Sequence, residues 1–141
     1  MERRLKVEHI DEKQVPYWTT HASATRWYRD VGPTFARNGK GQLKAIDFNF
    51  NCYGHCQPGS AEAQQKEGID REIAGLAGAP TIRTELVSEG GNHDFNGKGT
   101  MIACEAVELQ RNPHLTKEQI EQELLRLLGQ KKNDLAKARY R

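Results

Sequence analysis

The sequence lacks the features that define several protein classes. No apolar run approaches the roughly 18 residues of a membrane-spanning helix, and no apolar signal-peptide segment follows the basic start of the chain. Three cysteines, an odd number, are too few for a disulfide scaffold. A net charge of +2 also indicates no strongly basic surface for nucleic acid. We therefore expect a cytoplasmic chain with neither a membrane partner nor a nucleic-acid partner.

Length and composition indicate one small domain with little core material. The chain has 141 residues, which is typical of a single domain. Only 36% of the residues are hydrophobic and the mean hydropathy is −0.82, so few side chains are available for burial. The last twelve residues carry five basic groups and one acid. We predict a domain over residues 1–129 and a solvated basic tail over residues 130–141.

An internal repeat is the most informative pattern. The segment Asn38–Gly41, which reads NGKG, recurs as Asn96–Gly99, 58 residues later. An Asn-Gly pair between apolar-rich arms is typical of a tight hairpin turn, because both residues accept positive φ angles. We predict one hairpin over residues 34–50 and a second over residues 93–107.

A helix is predicted after each hairpin. Apolar residues recur at helical spacing over residues 60–77 and 116–128, and a glycine follows each segment. Thr116 begins a capping box at the second helix. Alternating residues predict a strand over 81–87, whereas residues 130–135 read QKKNDL, which is too polar for an interior strand. The prediction is an α/β fold of nearly two hairpin–helix–strand modules.

Four segments carry motifs of one known family, and they occur in that family's order: Trp27–Thr34 (WYRDVGPT), Ile46–Gly54 (IDFNFNCYG), Ser88–Asn92 (SEGGN) and Gln110–Pro113 (QRNP). Together they resemble the agmatine deiminase and bacterial-type peptidylarginine deiminase family over residues 27–129. The resemblance implies the pentein fold, a five-bladed α/β propeller, of which this sequence is the N-terminal portion. The two modules found from the repeat fit a partial propeller.

The resemblance also implies a reaction and a set of site residues. Family members hydrolyse the guanidinium group of a small molecule or peptide to a ureido group and release ammonia, without a metal or organic cofactor. The motifs place the two catalytic, guanidinium-gripping carboxylates at Asp30 and Glu89, and further substrate contacts at Trp27 and Asn51. Paired carboxylates suit this task, because a planar guanidinium presents forked donors to them.

The sequence also departs from the family. The family's cysteine nucleophile and proton-shuttling histidine belong to later segments that have no counterpart in these residues, so we expect weak or no activity from the chain alone. Cys56, which lies beside His55 and before a predicted helix, is the one candidate for a replacement nucleophile. His93 is displaced by one residue from the family's histidine position and is not assigned an acid–base role.

Two further interpretations stay open. One is a non-catalytic module that binds a guanidinium or oligomerises, with a second copy or another partner covering the open propeller edges. The other is a zinc site of Cys52, His55 and Cys56, completed by Cys104 or His21. Gel filtration and metal analysis separate these interpretations from the first.

Overall fold

The computed structural model describes residues 27–57, 60–130 and 132–136, together with positions 11, 13 and 20. Residue 67 and residues 132–136 are described by their backbone alone. In chain order the elements are α1 (Tyr28–Val31), β1 (Thr34–Arg37), β2 (Leu43–Asp47), a 3-10 turn (Cys52–Gly54), α2 (Ala61–Leu76), β3 (Thr81–Arg83), a 3-10 turn (Gly90–Asn92), β4 (His93–Phe95), β5 (Thr100–Cys104), α3 (Glu105–Arg111), α4 (Lys117–Leu128) and β6 (Lys132–Ala136).

The first module is a three-stranded sheet with the order β1-β2-β3. Strands β1 and β2 form the predicted antiparallel hairpin, in which Thr34 pairs with Ile46. The side chain of Asn38 closes the turn, because its Oδ1 accepts the backbone N–H groups of Lys40 and Gln42, each at 3.0 Å. Strand β3 then returns parallel to β2 after the helix.

The second module repeats this arrangement. Its sheet has the order β4-β5-β6, with an antiparallel hairpin followed by a parallel strand. Asn96 closes the turn as Asn38 does, since its Oδ1 accepts the N–H groups of Lys98 at 2.8 Å and Thr100 at 3.1 Å. The repeated NGKG segment therefore marks two copies of one structural unit, and the prediction of two modules is confirmed.

Strand β6 corrects the expectation that the second module ends without a closing strand. Lys132–Ala136 pairs with β5 in parallel, within the segment assigned to a solvated tail. Among the described strands it has a neighbour on one side only, and such a position accepts polar residues that an interior strand excludes. Polarity was therefore a valid argument against an interior strand and no argument against an edge strand.

Three strand boundaries also differ from the prediction. The first hairpin ends at Asp47 and not at residue 50. Strand β3 ends at Arg83 and not at residue 87, although Thr84 N–H still donates to Asp47 O at 3.2 Å. The second hairpin ends at Cys104, because the chain continues directly into α3. Each of these strands is therefore shorter than predicted.

Both predicted helices form, and their end signals work as expected. Ser60 caps α2 by accepting the N–H of Ala63 at 3.2 Å. The capping box of α4 is complete, with Thr116 and Gln119 each accepting a backbone N–H of the other residue. Gly129 ends α4 in the left-handed conformation, with φ of 63°.

The main core joins the two modules. It contains side chains from β2 and the segments that follow β2 and β3, and from β5 and α4: Ile46, Phe48, Leu86, Met101, Ala103, Ile120, Leu124, Leu127 and Leu128. A smaller cluster of Val31, Phe50, Cys52 and Ile69 packs α1 and the first 3-10 turn against α2. That smaller cluster fixes the base of the site described below. Within the described part of the chain, no helix is both long and apolar enough to cross a membrane.

Candidate functional site

Asp30 lies in the short helix α1, close to the second 3-10 turn. Its Oδ2 accepts a hydrogen bond from the Tyr53 hydroxyl at 2.8 Å. Its Oδ1 faces Gly91 so closely that a Cβ added to this glycine would overlap with it. A Cβ at Gly90 would likewise overlap with the backbone carbonyl of Arg29. The two glycines of the SEGGN segment therefore allow α1 to approach the residues that follow Glu89.

Glu89 is buried at the start of this turn and already binds a guanidinium. Arg111, in the last turn of α3, donates from Nε to Glu89 Oε1 at 2.7 Å. Each of the two side chains is only 9% exposed, so the ion pair is shielded from water. The Glu89 carboxylate therefore accepts a hydrogen bond from a guanidinium of the chain itself.

Tyr53 is hydrogen-bonded to Asp30, and the charge of Glu89 also acts on its hydroxyl group. Burial and the hydrogen bond to Asp30 raise the pKa of Tyr53 well above its ordinary value, and the negative charges of Asp30 and Glu89 add to this effect. The positive charge of Arg111 acts in the opposite direction. Asp30 Oδ1 also faces Gly91, two residues after Glu89, so the predicted residues Asp30 and Glu89 lie near one another in the fold.

The other two predicted substrate contacts have identifiable structural tasks. Asn51 Oδ1 accepts the N–H of Gly54 at 2.8 Å and so caps the first 3-10 turn. Trp27 has an exposed side chain, and its carbonyl accepts the N–H groups of Asp30 at 3.0 Å and Val31 at 3.1 Å. The contact of either residue with a substrate remains a prediction.

The cysteines differ from the expectation of free thiols. Cys52 and Cys56 form a disulfide. The 3-10 turn brings their Cα atoms to 5.2 Å, which lies within the range that disulfides span. Cys56 in this state is no thiolate nucleophile, because its sulfur is already bonded.

The proposed zinc ligands are not assembled either. Cys52 and Cys56 are joined in the disulfide, and the described side chain that groups with their sulfurs within 4.8 Å is Glu62 and not His55. Cys104 is a free, half-buried thiol on β5. His21 lies outside the described residues.

His93 belongs to a buried polar network and not to the site surface. Its Nε2 lies 3.0 Å from Ser88 Oγ, and the Ser88 hydroxyl donates to Glu108 Oε1 at 2.7 Å. Asn92 donates to the same Glu108 oxygen at 2.7 Å. His93 and Glu108 are almost fully buried. The network therefore links the second 3-10 turn to α3 inside the protein. This buried structural role is compatible with the decision, made from the sequence, to assign His93 no acid–base role.

Sequence reasoning missed two members of the site. Arg111 was quoted only as part of a motif, although an arginine at the end of a helix beside an Asn-Pro turn is a candidate partner for a buried carboxylate. Tyr53 stands in the IDFNFNCYG segment without an assigned role. Each of them contacts its carboxylate across 22 or 23 residues of sequence, which local patterns do not reveal.

Comparison with known proteins places these features in a family. The sequence model of the Porphyromonas-type peptidyl-arginine deiminase family matches residues 3–135. An agmatine deiminase of Ectopseudomonas mendocina is 40% identical over 99 residues, covering 67% of this chain and 27% of that protein. The chain therefore spans less than a third of the length of this relative.

Solved structures agree with the sequence comparison. The agmatine deiminase of Enterococcus faecalis superimposes with a TM-score of 0.71 at 32% identity, covering 79% of this chain and 32% of its own. The C. jejuni agmatine deiminase gives a TM-score of 0.70 at 25% identity and covers 99% of this chain and 40% of its own. The two modules thus have the fold of one part of these larger proteins.

Proposed function

The chain belongs to the Porphyromonas-type peptidyl-arginine deiminase family, and from that premise we propose that it forms the guanidinium-binding part of a deiminase. The reaction is hydrolysis of a guanidinium to a ureido group, in which water supplies the oxygen and ammonia leaves. Its substrate is agmatine, arginine or a peptidyl arginine, since all three present the same head group. The two modules are then two units of a propeller of the pentein type.

One observation carries this proposal: Asp30 lies against Gly91, two residues after Glu89, and Glu89 already binds the guanidinium of Arg111. The buried Glu89–Arg111 pair supports the assignment, because a guanidinium nitrogen donates to this carboxylate at 2.7 Å. Asp30 adds a second, half-buried carboxylate. Two carboxylates hold a guanidinium in one orientation, and such orientation lowers the entropic part of the barrier for attack on its carbon.

The proposal assigns binding and orientation to these residues and not bond cleavage. Binding alone does not lower the barrier between the bound substrate and its transition state. The described part of the chain offers no free thiol beside Asp30, because Cys52 and Cys56 are joined. We therefore expect that the 141 residues bind a guanidinium but hydrolyse it weakly or not at all.

Agmatine binding and ammonia release by the same preparation test both parts of the proposal. Asp30→Ala should weaken agmatine binding, measured by titration calorimetry, by at least about tenfold, which corresponds to the loss of one charged hydrogen bond. Asp94→Ala is the matched control, since Asp94 is an exposed carboxylate on β4 and should leave the affinity unchanged.

Two outcomes would contradict the proposal. Equal affinities of the Asp30→Ala and Asp94→Ala variants for agmatine would exclude Asp30 as a guanidinium ligand. Rapid ammonia release from agmatine or an arginine peptide, abolished by Asp30→Ala, would show that the chain does contain a nucleophile.

An exposed groove favours a second candidate function, that of an oligomerising module. The groove has a volume of about 820 Å³ and is lined by strands and turns of both hairpins, including Phe35 and Phe95. Both phenylalanines are about 40% exposed, with values of 40% and 42%. A second copy of the chain that covers this groove would bury them.

Sedimentation at increasing concentration tests this second candidate. Phe35→Lys should lower the average mass if the groove is the contact between copies, whereas Leu76→Lys, a change at an equally exposed residue of α2, should not. A monomer at every concentration would overturn the oligomerising module.

A further inference from the structure

The loop that carries Tyr53 has an unusual backbone. Cys52 and Tyr53 are the two described non-glycine residues with positive φ, at 57° and 62°. Side chains rarely occupy this left-handed region, because the Cβ crowds the following carbonyl. Such a conformation persists only where neighbouring contacts enforce it.

Several contacts close the loop around these two residues. The Asn51 side chain accepts the N–H of Gly54, and the Asn51 carbonyl accepts the N–H of Cys56 at 3.3 Å. The disulfide between Cys52 and Cys56 closes the same turn covalently. Tyr53 is thus enclosed in a small ring of chain, whose ends are fixed at Cys52 and Cys56.

The loop conformation determines where the Tyr53 hydroxyl lies. The ring packs edge-on against Phe50, with centroids 5.2 Å apart and an interplanar angle of 89°. This contact directs the hydroxyl to Asp30 Oδ2 at 2.8 Å, while Asp30 Oδ1 lies against Gly91. One oxygen of Asp30 therefore accepts a hydrogen bond from the phenol, and the other lies next to Gly91.

We propose that Tyr53 is a positioning residue that holds Asp30 for guanidinium binding, and that the Cys52–Cys56 disulfide keeps Tyr53 in this position. The inference rests on the proposed function, because it assigns a task around Asp30. It goes beyond that function in making a redox-sensitive bond, which does not itself contact Asp30 in the described interactions, a determinant of affinity. Without the bond, Cys52 and Tyr53 are free to leave the left-handed region, and the phenol moves away from the carboxylate.

Agmatine affinity is the first measurement that tests this inference. Tyr53→Phe retains the ring and its contact with Phe50 but removes the hydroxyl, and it should weaken binding about tenfold, the effect of one charged hydrogen bond. The double variant Cys52→Ser, Cys56→Ser should weaken binding by a similar factor, although Tyr53 is present. Tyr28→Phe and Cys104→Ser are the matched controls and should bind as the unmodified chain does.

Tyrosine ionisation, followed by ultraviolet absorbance from pH 9 upwards over the range in which the chain stays folded, gives a second measurement that needs no ligand. In the unmodified chain, Tyr53 should ionise later than an ordinary tyrosine, because burial and Asp30 raise its pKa. In the double serine variant this late ionisation should move toward the ordinary value of about 10. Tyr53→Phe should abolish it, which identifies the residue, and circular dichroism at each pH confirms that the chain stays folded.

The results separate the inference from the function on which it rests. If the unmodified chain does not bind agmatine, the proposed function fails and Tyr53 has no guanidinium ligand to position. If the unmodified chain binds and both Tyr53→Phe and the double serine variant bind equally well, the proposed function stands and the inference is overturned. An unchanged late ionisation in the double serine variant would also overturn the role of the disulfide.

Discussion

At the scale of single residues, the buried ion pair between Glu89 and Arg111 is sensitive to the loss of either partner. Both side chains are shielded from water, so each charge is compensated by its partner and not by solvent. The desolvation of two buried charges offsets much of their attraction, whereas removal of one partner leaves an uncompensated charge in a medium of low polarity. The pair is therefore a weak source of net stability but a sensitive position for mutation.

Arg111→Met should lower the free energy of unfolding by about 3 kcal/mol, because it leaves the Glu89 carboxylate buried without a cation. Adding Glu89→Gln to Arg111→Met should restore more than half of this loss. Urea denaturation of the single and double variants measures both values.

Arg126→Met is the matched control for this prediction. Arg126 binds Glu123 at the same distance of 2.7 Å, but its side chain is 60% exposed. An exposed pair contributes less than about 1 kcal/mol, so this variant should unfold almost as the unmodified chain does. Equal losses for the two arginine variants would show that Glu89 is not effectively buried.

The two carboxylates of the site could be predicted from the sequence, whereas their hydrogen-bond partners could not. Asp30 belongs to the short motif WYRDVGPT and Glu89 to the motif SEGGN. The sequence therefore nominates both residues through its resemblance to the family. Tyr53 and Arg111 are linked to them only through the folded chain, by contacts that no helical or strand period predicts. The disulfide was missed for a related reason, because a spacing of four residues suits a helix, a metal loop or a closed turn equally.

At the scale of elements, the glycine pair in the second 3-10 turn determines how closely α1 approaches. A Cβ at Gly90 would overlap with a backbone carbonyl of α1, which has no rotamer available to avoid it. Gly90 does not require a positive φ, so this contact and not backbone strain explains why a side chain is excluded. The packing of α1 against the turn is what brings Asp30 next to Gly91.

Gly90→Ala should therefore destabilise the chain by about 2 kcal/mol, as overpacking of a close contact does. Gly68→Ala is the control, because a Cβ at this position in α2 meets no atom within 4 Å. Alanine has the higher helix propensity, so Gly68→Ala should stabilise the chain by about 0.5–1 kcal/mol. Thermal unfolding of the two variants measures these opposite shifts, and a shift of the same sign in both would refute the contact argument.

Most elements were predictable because their signals are local. The NGKG turns, the capping box at Thr116 and the glycine at the end of α4 each act within a few residues, and the structure contains all of them. Strand β6 was not predictable in this way. Its sequence is polar, and the strand is specified by its pairing with β5, a contact that belongs to the assembled sheet.

At the scale of the whole molecule, the two modules share one core and are expected to unfold together. Strand β2 and the segments that follow β2 and β3 contribute Ile46, Phe48 and Leu86, while α4 contributes Leu124 from the other module. Side chains from both modules thus bury one another in this core. A repeat that resembles two separate units in the sequence is therefore expected to unfold as one cooperative unit.

Amide hydrogen exchange tests this cooperativity. Leu124 is completely buried, and Leu124→Ala should cost about 3 kcal/mol through lost burial and the cavity that remains. The slowest-exchanging amides of β2, in the first module, should lose the same free energy of protection as those of β5, in the second. Leu76→Ala, at a residue that is 44% exposed on α2, should change both by less than about 1 kcal/mol. A loss of protection confined to β5 would show instead that each module unfolds by itself, and the shared core would then not explain how Asp30 and Glu89 are held together.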